Sequence, residues 1–94
     1  MSEAYRCVVQ TQNTIYGVTD DGKVDVLNKG YAGELVGFTS AQKGTVDWVK
    51  ACYAKIGELD NEPENGMRMV INSSGDANII TTPILEIYVP KSSE

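Results

Sequence analysis

One stretch of the 94 residues carries a helical repeat: Thr45–Leu59, TVDWVKACYAKIGEL. Val46, Val49, Cys52, Tyr53, Ile56 and Leu59 recur at spacings of three and four, which puts them on one face of a 3.6-residue helix. Asp47, Lys50, Ala51, Ala54, Lys55 and Glu58 take the opposite face, and Trp48 borders the apolar stripe. The spacing predicts that the apolar set packs inward, with Val49 and Ile56 against the rest of the fold. Two starts are open. Thr39 with Gln42 reads as a capping box, but it encloses Gly44 at a cost of about 1 kcal/mol. Thr45 as N-cap, with Asp47 in the positive first turn, avoids that cost and is preferred. Gly57 and the run Asp60–Gly66 end the helix. A lone helix of this length is marginal in water, so it needs a surface to lie on.

The rest of the chain supplies strands. Tyr5–Thr11 alternates, with Tyr5, Cys7 and Val9 on one side and Arg6, Val8 and Gln10 on the other. Thr14–Thr19 follows, and its Gly17 marks a bulge or a close contact. Asp21-Gly22 is a hairpin signal leading into Lys23–Asn28, with Val24 and Val26 on one face. Lys29–Phe38 is broken by three glycines; Leu35, Val36 and Phe38 fit a short strand or a crossing segment. Asp60–Gly66, DNEPENG, reads as a loop. Met67–Asn72 is a strand with Met67, Met69 and Ile71 on one side. Asn78–Thr82 and Ile84–Val89 are strands divided by Pro83, which cannot donate to a ladder and suggests an edge or a bulge.

These elements predict an α+β domain: a mostly antiparallel sheet of five to six strands with one main helix packed on one face, in the order βββ-(β)-α-βββ. Residues 1–94 are expected to form one domain, with residues 1–3 and 91–94 as flexible tails. One helix covers one face of such a sheet, so the other must be solvated, curl into a barrel or meet another molecule. Ile84 and Tyr88 lie opposite Leu85, Ile87 and Val89, and Val70 opposite Met67, Met69 and Ile71, which is too apolar for a solvated face. Pro83 favours an edge, and edges invite pairing. The expectation is a homo-oligomer, most simply a two-fold dimer, with the Lys29–Phe38 segment as the alternative cover.

Composition narrows the chemistry. There is no histidine, which removes the commonest general base and metal ligand. The two cysteines, Cys7 and Cys52, are far apart in sequence and read as free, buried thiols of a cytosolic protein. Phosphate-loop and nucleophile-elbow motifs are absent. No catalytic residue, cofactor or metal site is expected, and the reading is that the chain is not an enzyme. Lys29-Gly30-Tyr31-Ala32 matches the first half of an RNA-binding motif, but Gly33 and Glu34 stand where an aromatic and an aliphatic residue are required. With a net charge of −5, nucleic acid and anionic membrane are poor partners. There is no apolar run long enough to span a bilayer, and MSEAYR has no secretory character.

Glu58, Asp60, Glu62 and Glu64 set four carboxylates within seven residues. A calcium loop counted from Asp60 fails: the glycine comes one residue late, Pro63 intrudes, and Ile71 occupies the place of the bidentate glutamate. The run reads as a solvated loop or as a docking surface for a basic partner. Trp48, Tyr53, Cys7 and Cys52 are expected in the core. Tyr31 and Tyr88 suit an interface, since one end of the ring is apolar and the other polar. Glu58, Asp60, Glu62, Glu64, Tyr31 and Tyr88 are therefore the candidate partner-binding residues. The function expected is a small, acidic, cytosolic binding module: a protein-interaction, inhibitor or regulatory domain, of a build that suits an accessory or phage-encoded protein. The alternative is a homo-oligomer that binds or sequesters a small ligand between subunits; a third reading is an enzyme using carboxylates or a lone thiol.

Overall fold

Six antiparallel strands close into a barrel in the computed structural model, which describes residues 5–60 and 62–89. They are β1 (Tyr5–Thr11), β2 (Ile15–Thr19), β3 (Lys23–Val26), β4 (Gly30–Thr39), β5 (Arg68–Asn72) and β6 (Ile79–Tyr88), with α1 (Val46–Cys52) between β4 and β5. Each strand pairs with its sequence neighbour, and β6 returns to β1 through Val8–Tyr88 and Val9–Ile87. The fold is α+β, with the helix on one face of the sheet. The tails expected at residues 1–3 and 91–94 lie outside the described residues.

Closure answers what covers the second face of the sheet: it becomes the barrel interior. Cys7, Val9, Val18, Val24, Leu35, Phe38, Met67, Met69, Ile71 and Ile84 fill it, with Tyr16, Ala32 and Ile87 against them. The Lys29–Phe38 segment is a wall of the barrel, since β4 pairs along its length with β3 and β5. Of the two places expected for Pro83, the edge is incorrect, because β6 is paired on both sides, and the bulge is present: the register shifts between Arg68, opposite Pro83, and Val70, opposite Ile80. Side chains complete the ladder around the proline. Thr81 Oγ1 accepts from the Met69 amide (3.1 Å), Thr82 Oγ1 accepts from the Gln12 amide (3.2 Å), and Arg68 Nη1 donates to the Thr81 carbonyl (3.2 Å). One strand therefore runs through Pro83 where two were expected.

Local irregularities move two side chains from the faces that strict alternation assigns. A register shift between Tyr5 and Cys7 lays the Tyr5 ring on the outside, over Gly17, where a Cβ would come within 2.6 Å of it. Its hydroxyl reaches Asp25 Oδ2 at 3.1 Å. A second shift sets Gln10 opposite Glu86 but Thr11 opposite Ile84. Leu85 is the extra residue and points to solvent, away from Ile87.

The helix is shorter than expected and presents the opposite face. Thr45 caps it as predicted, accepting from the Trp48 amide (3.2 Å) and donating to the Gln42 carbonyl (2.7 Å). It ends at Cys52 because Asn78 takes over its carbonyls. The Asn78 amide donates to Cys52 O (2.8 Å), and its Nδ2 donates to Ala51 O and Ala54 O, each at 2.9 Å. Ala51 is the residue turned inward, 1% exposed, and with Val36 and Val70 it forms a second core on the outer wall of the barrel. Val46, Val49, Tyr53 and Ile56 are instead 71%, 54%, 65% and 57% exposed. The expected core places of Tyr53, Trp48 and Cys52 fail with this phase: Tyr53 is exposed, and Trp48 and Cys52 are half-buried. The physical reason is room. The helix lies close enough to Val36 and Val70 for a methyl group to fill the gap, and a branched or aromatic side chain would hold it off.

Ile56→Ala should accordingly change stability by less than about 0.5 kcal/mol, as surface substitutions do. Ala51→Leu should cost about 1–3 kcal/mol through overpacking. Urea denaturation of both variants checks this; the reverse order of magnitudes would restore the predicted phase.

Candidate functional site

The segment joining α1 to β5 is strapped onto the outside of β4. The Gly57 amide donates to Val36 O (3.4 Å), and the Phe38 amide donates to Asp60 O (2.6 Å). Gly37, between them, faces outward with φ +147°. A Cβ there would meet Asp60 O and the Leu59 Cβ at 2.7 Å each, so the strap lies where only glycine admits it.

This strap distributes the acidic residues. Asp60, Glu62 and Glu64 line one open cleft of about 400 Å³, together with Ser40 and Met67. Glu58 turns back on its own loop, where its Oε1 accepts from the Lys55 amide at 2.9 Å. Of the four carboxylates singled out in the sequence, three share a site and the fourth serves the turn. The two tyrosines stand elsewhere. Tyr31 is exposed and borders a different cleft with Ala32, Glu34, Asn72, Ser73 and Ser74. It is seven residues from Phe38 along β4, roughly 23 Å at strand rise. Tyr88 borders a third cleft, of about 350 Å³, on the β6–β1–β2 seam with Val8, Gln10, Ile15, Glu86 and Ile87.

The expectation had no place for the outward stripe on α1. Val46, Val49 and Tyr53 follow one another at helical spacing, and Ile56, beyond the end of α1, is exposed as well. A signal was present in the sequence: Ala51 and Ala54, three apart on the other face, are the small residues that let a helix approach a sheet closely.

Beside the stripe, the Arg68 guanidinium lies 5.3 Å from the centre of the Trp48 ring, a cation–π contact that pins the inner edge of the helix. Among the described residues no group of three or more potential metal ligands comes together, and no buried side-chain nitrogen or oxygen lacks a hydrogen-bond partner. No helix there is long and apolar enough to cross a membrane. Both cysteines are free. Burial pushes the Cys7 thiol above its ordinary value of 9.0, against a smaller opposing effect of the Arg6 charge. In folded protein a thiol reagent should modify half-buried Cys52 first, and Cys7 only as fast as the barrel opens. Peptide mapping over time checks this; equal rates would show that Cys7 is not enclosed.

Comparison of the chain with protein-family models, with curated proteins and with solved structures found no match.

Proposed function

We propose that this protein is a non-catalytic protein-binding module, of inhibitory or regulatory type, that engages its partner through the outward face of α1. The observation that carries this reading is the inversion of the helix. Its alanine is buried while Val46, Val49 and Tyr53, at helical spacing, and Ile56 beyond them are each more than half exposed. Contiguous apolar patches of a few hundred Å² on a soluble protein mark interaction sites. The side-chain-filled barrel supports the same reading, because its interior is a packed core. So does the full pairing of the strands: with β1 bonded to β6, no sheet edge is left among the described residues to accept an added strand. We place the protein in the cytosol on the strength of its two free thiols.

The test is affinity capture with the intact chain compared with the double variant Val49→Ser/Tyr53→Ser. Both side chains are more than half exposed, so the fold should persist. A specific partner should be retained by the parent protein and by Tyr88→Ser, and lost from the double variant. Loss from Tyr88→Ser alone would move the site to the β6–β1–β2 seam. That seam carries the second reading, a homo-oligomer or small-ligand site, since its cleft is lined by Val8, Ile15, Ile87 and Tyr88. Sedimentation equilibrium of the parent protein and of Tyr88→Ser separates a seam dimer from a monomer.

A further inference from the structure

We infer that α1 opens as a unit separate from the barrel, and that the side chain of Asn78 is the latch that holds it closed.

Little of α1 is buried. Ala51 is the residue of the helix turned fully inward, against Val36 and Val70, with Ala54, Leu59 and Ile80 half-buried around them. The barrel interior is a separate cluster, and neither it nor the six-strand ladder uses a residue of α1. A helix of seven residues does not persist alone in water, so undocking and unwinding are one event. A small apolar contact and backbone bonds close to solvent are the features of segments that open before the whole protein does.

The polar hold on this segment is concentrated in one residue. Among the described residues, the hydrogen bonds that tie residues 46–56 to the barrel all come from Asn78, the residue before β6. Its amide donates to Cys52 O, and its Nδ2 donates to Ala51 O and Ala54 O. These carbonyls lie at the end of the helix, which leaves its last turn short of donors and negative in charge. The side chain is held in that orientation from behind. Asn72 Nδ2 donates to Asn78 Oδ1 at 3.0 Å, which commits the oxygen to β5 and the nitrogen to the helix. Asn72 is fixed in turn, since its Oδ1 accepts from the Ser74 amide at 3.2 Å. The remaining contact, Arg68 with the Trp48 ring, is of a kind that is weak at accessible sites, and Arg68 keeps its bond to Thr81 O when the helix leaves. Opening unwinds the stripe of Val46, Val49 and Tyr53 and uncovers Val36 and Val70. Asn78 thus sets how much of the time the outward face of α1 exists, and the inference needs no partner.

The test is amide hydrogen exchange of the full chain, followed residue by residue against urea. In the parent protein the α1 amides should exchange faster than those of β1 and β4. Their rates should also depend less on urea, because a small opening exposes little surface. Asn78→Asp keeps the size of the side chain and its backbone amide but removes both Nδ2 bonds. It should speed α1 exchange roughly ten- to a hundredfold, the scale of two lost hydrogen bonds. Val18→Ala, in the barrel interior on β2, is the reciprocal variant. It should speed exchange of the barrel amides and leave the α1 amides unchanged, because the barrel stays closed while α1 is open. Exchange of α1 at the barrel's rate and urea dependence, or equal acceleration of both by Val18→Ala, would overturn the separate unit. Unchanged α1 exchange in Asn78→Asp would overturn the latch. If Asn78→Asp does not fold, Asn72→Ala, which removes the donor that orients the Asn78 amide, takes its place, and unchanged α1 exchange there overturns the latch equally.

Discussion

Phe38→Ala is expected to remove about 3–5 kcal/mol of stability, the cost of deleting an enclosed aromatic ring from a packed core. Phe38 is 1% exposed and sits in the barrel interior with Met69 paired opposite it. For a domain of this size, each kcal/mol shifts Tm by roughly 4–8 °C, so the midpoint should fall by tens of degrees. The whole stability of such a domain is about 5–15 kcal/mol, and the variant stands near the limit of folding. Phe38→Leu keeps most of the volume and should cost less than about 1.5 kcal/mol. Urea denaturation of the pair is the measurement. A loss below about 1 kcal/mol for the alanine variant would mean that the ring is not enclosed.

The second large effect is expected next door. Gly37→Ala adds one methyl group, yet should cost about 2–6 kcal/mol. A side chain at φ +147° is strained by about 1–3 kcal/mol, and the contacts with Asp60 O and Leu59 add a similar overpacking cost. The two variants should fail differently. Phe38→Ala weakens the interior and loosens the entire barrel. Gly37→Ala lifts the strap from the outer wall, so amide shifts should move first at residues 55–64, and the cleft of Asp60, Glu62 and Glu64 should lose its shape. A global change with no such local onset would show that the strap is not held by its seat on Gly37.

The strands of residues 5–28 were legible because a half-buried strand writes its period directly, as in Lys23-Val24-Asp25-Val26. The acidic strap was equally plain, since Pro63 and Asn65-Gly66 forbid regular structure. Barrel closure was not legible. A sheet apolar on both faces reads alike whether its second face meets another subunit or its own interior. Lys29–Phe38 was obscured by its glycines, which punctuate most strands but here admit a bulge at Val36 and the crossing of the strap. Pro83 misled only as to the edge: in the shifted register beside it, threonine hydroxyls accept from the Met69 and Gln12 amides and keep the strand paired on both sides, a compensation that no periodicity records. The helix phase failed most instructively. Choosing the bulkier apolar face as the buried one assumes a deep groove, and the wall formed by Val36 and Val70 has room only for Ala51. The same error hid the candidate site, because the residues assigned to the core are the ones that face outward.

The pairing of β1 with β6 also sets how the chain reaches this structure. The β1–β2, β2–β3 and β3–β4 pairs are local hairpins, whereas Val8 and Tyr88 must find each other across 80 residues of chain. Bringing such distant segments together costs roughly 4 kcal/mol of chain entropy beyond a constant. High contact order slows folding into the millisecond-to-second range. On these costs the hairpins are expected to form early and the barrel seam last. Until it does, β1 and β6 are open edges, one bearing Val8 and the other Leu85 and Tyr88. In that interval at high concentration, a neighbouring chain's β6 competes for β1, and exchange of the last strand between two barrels is the misassembly this topology invites.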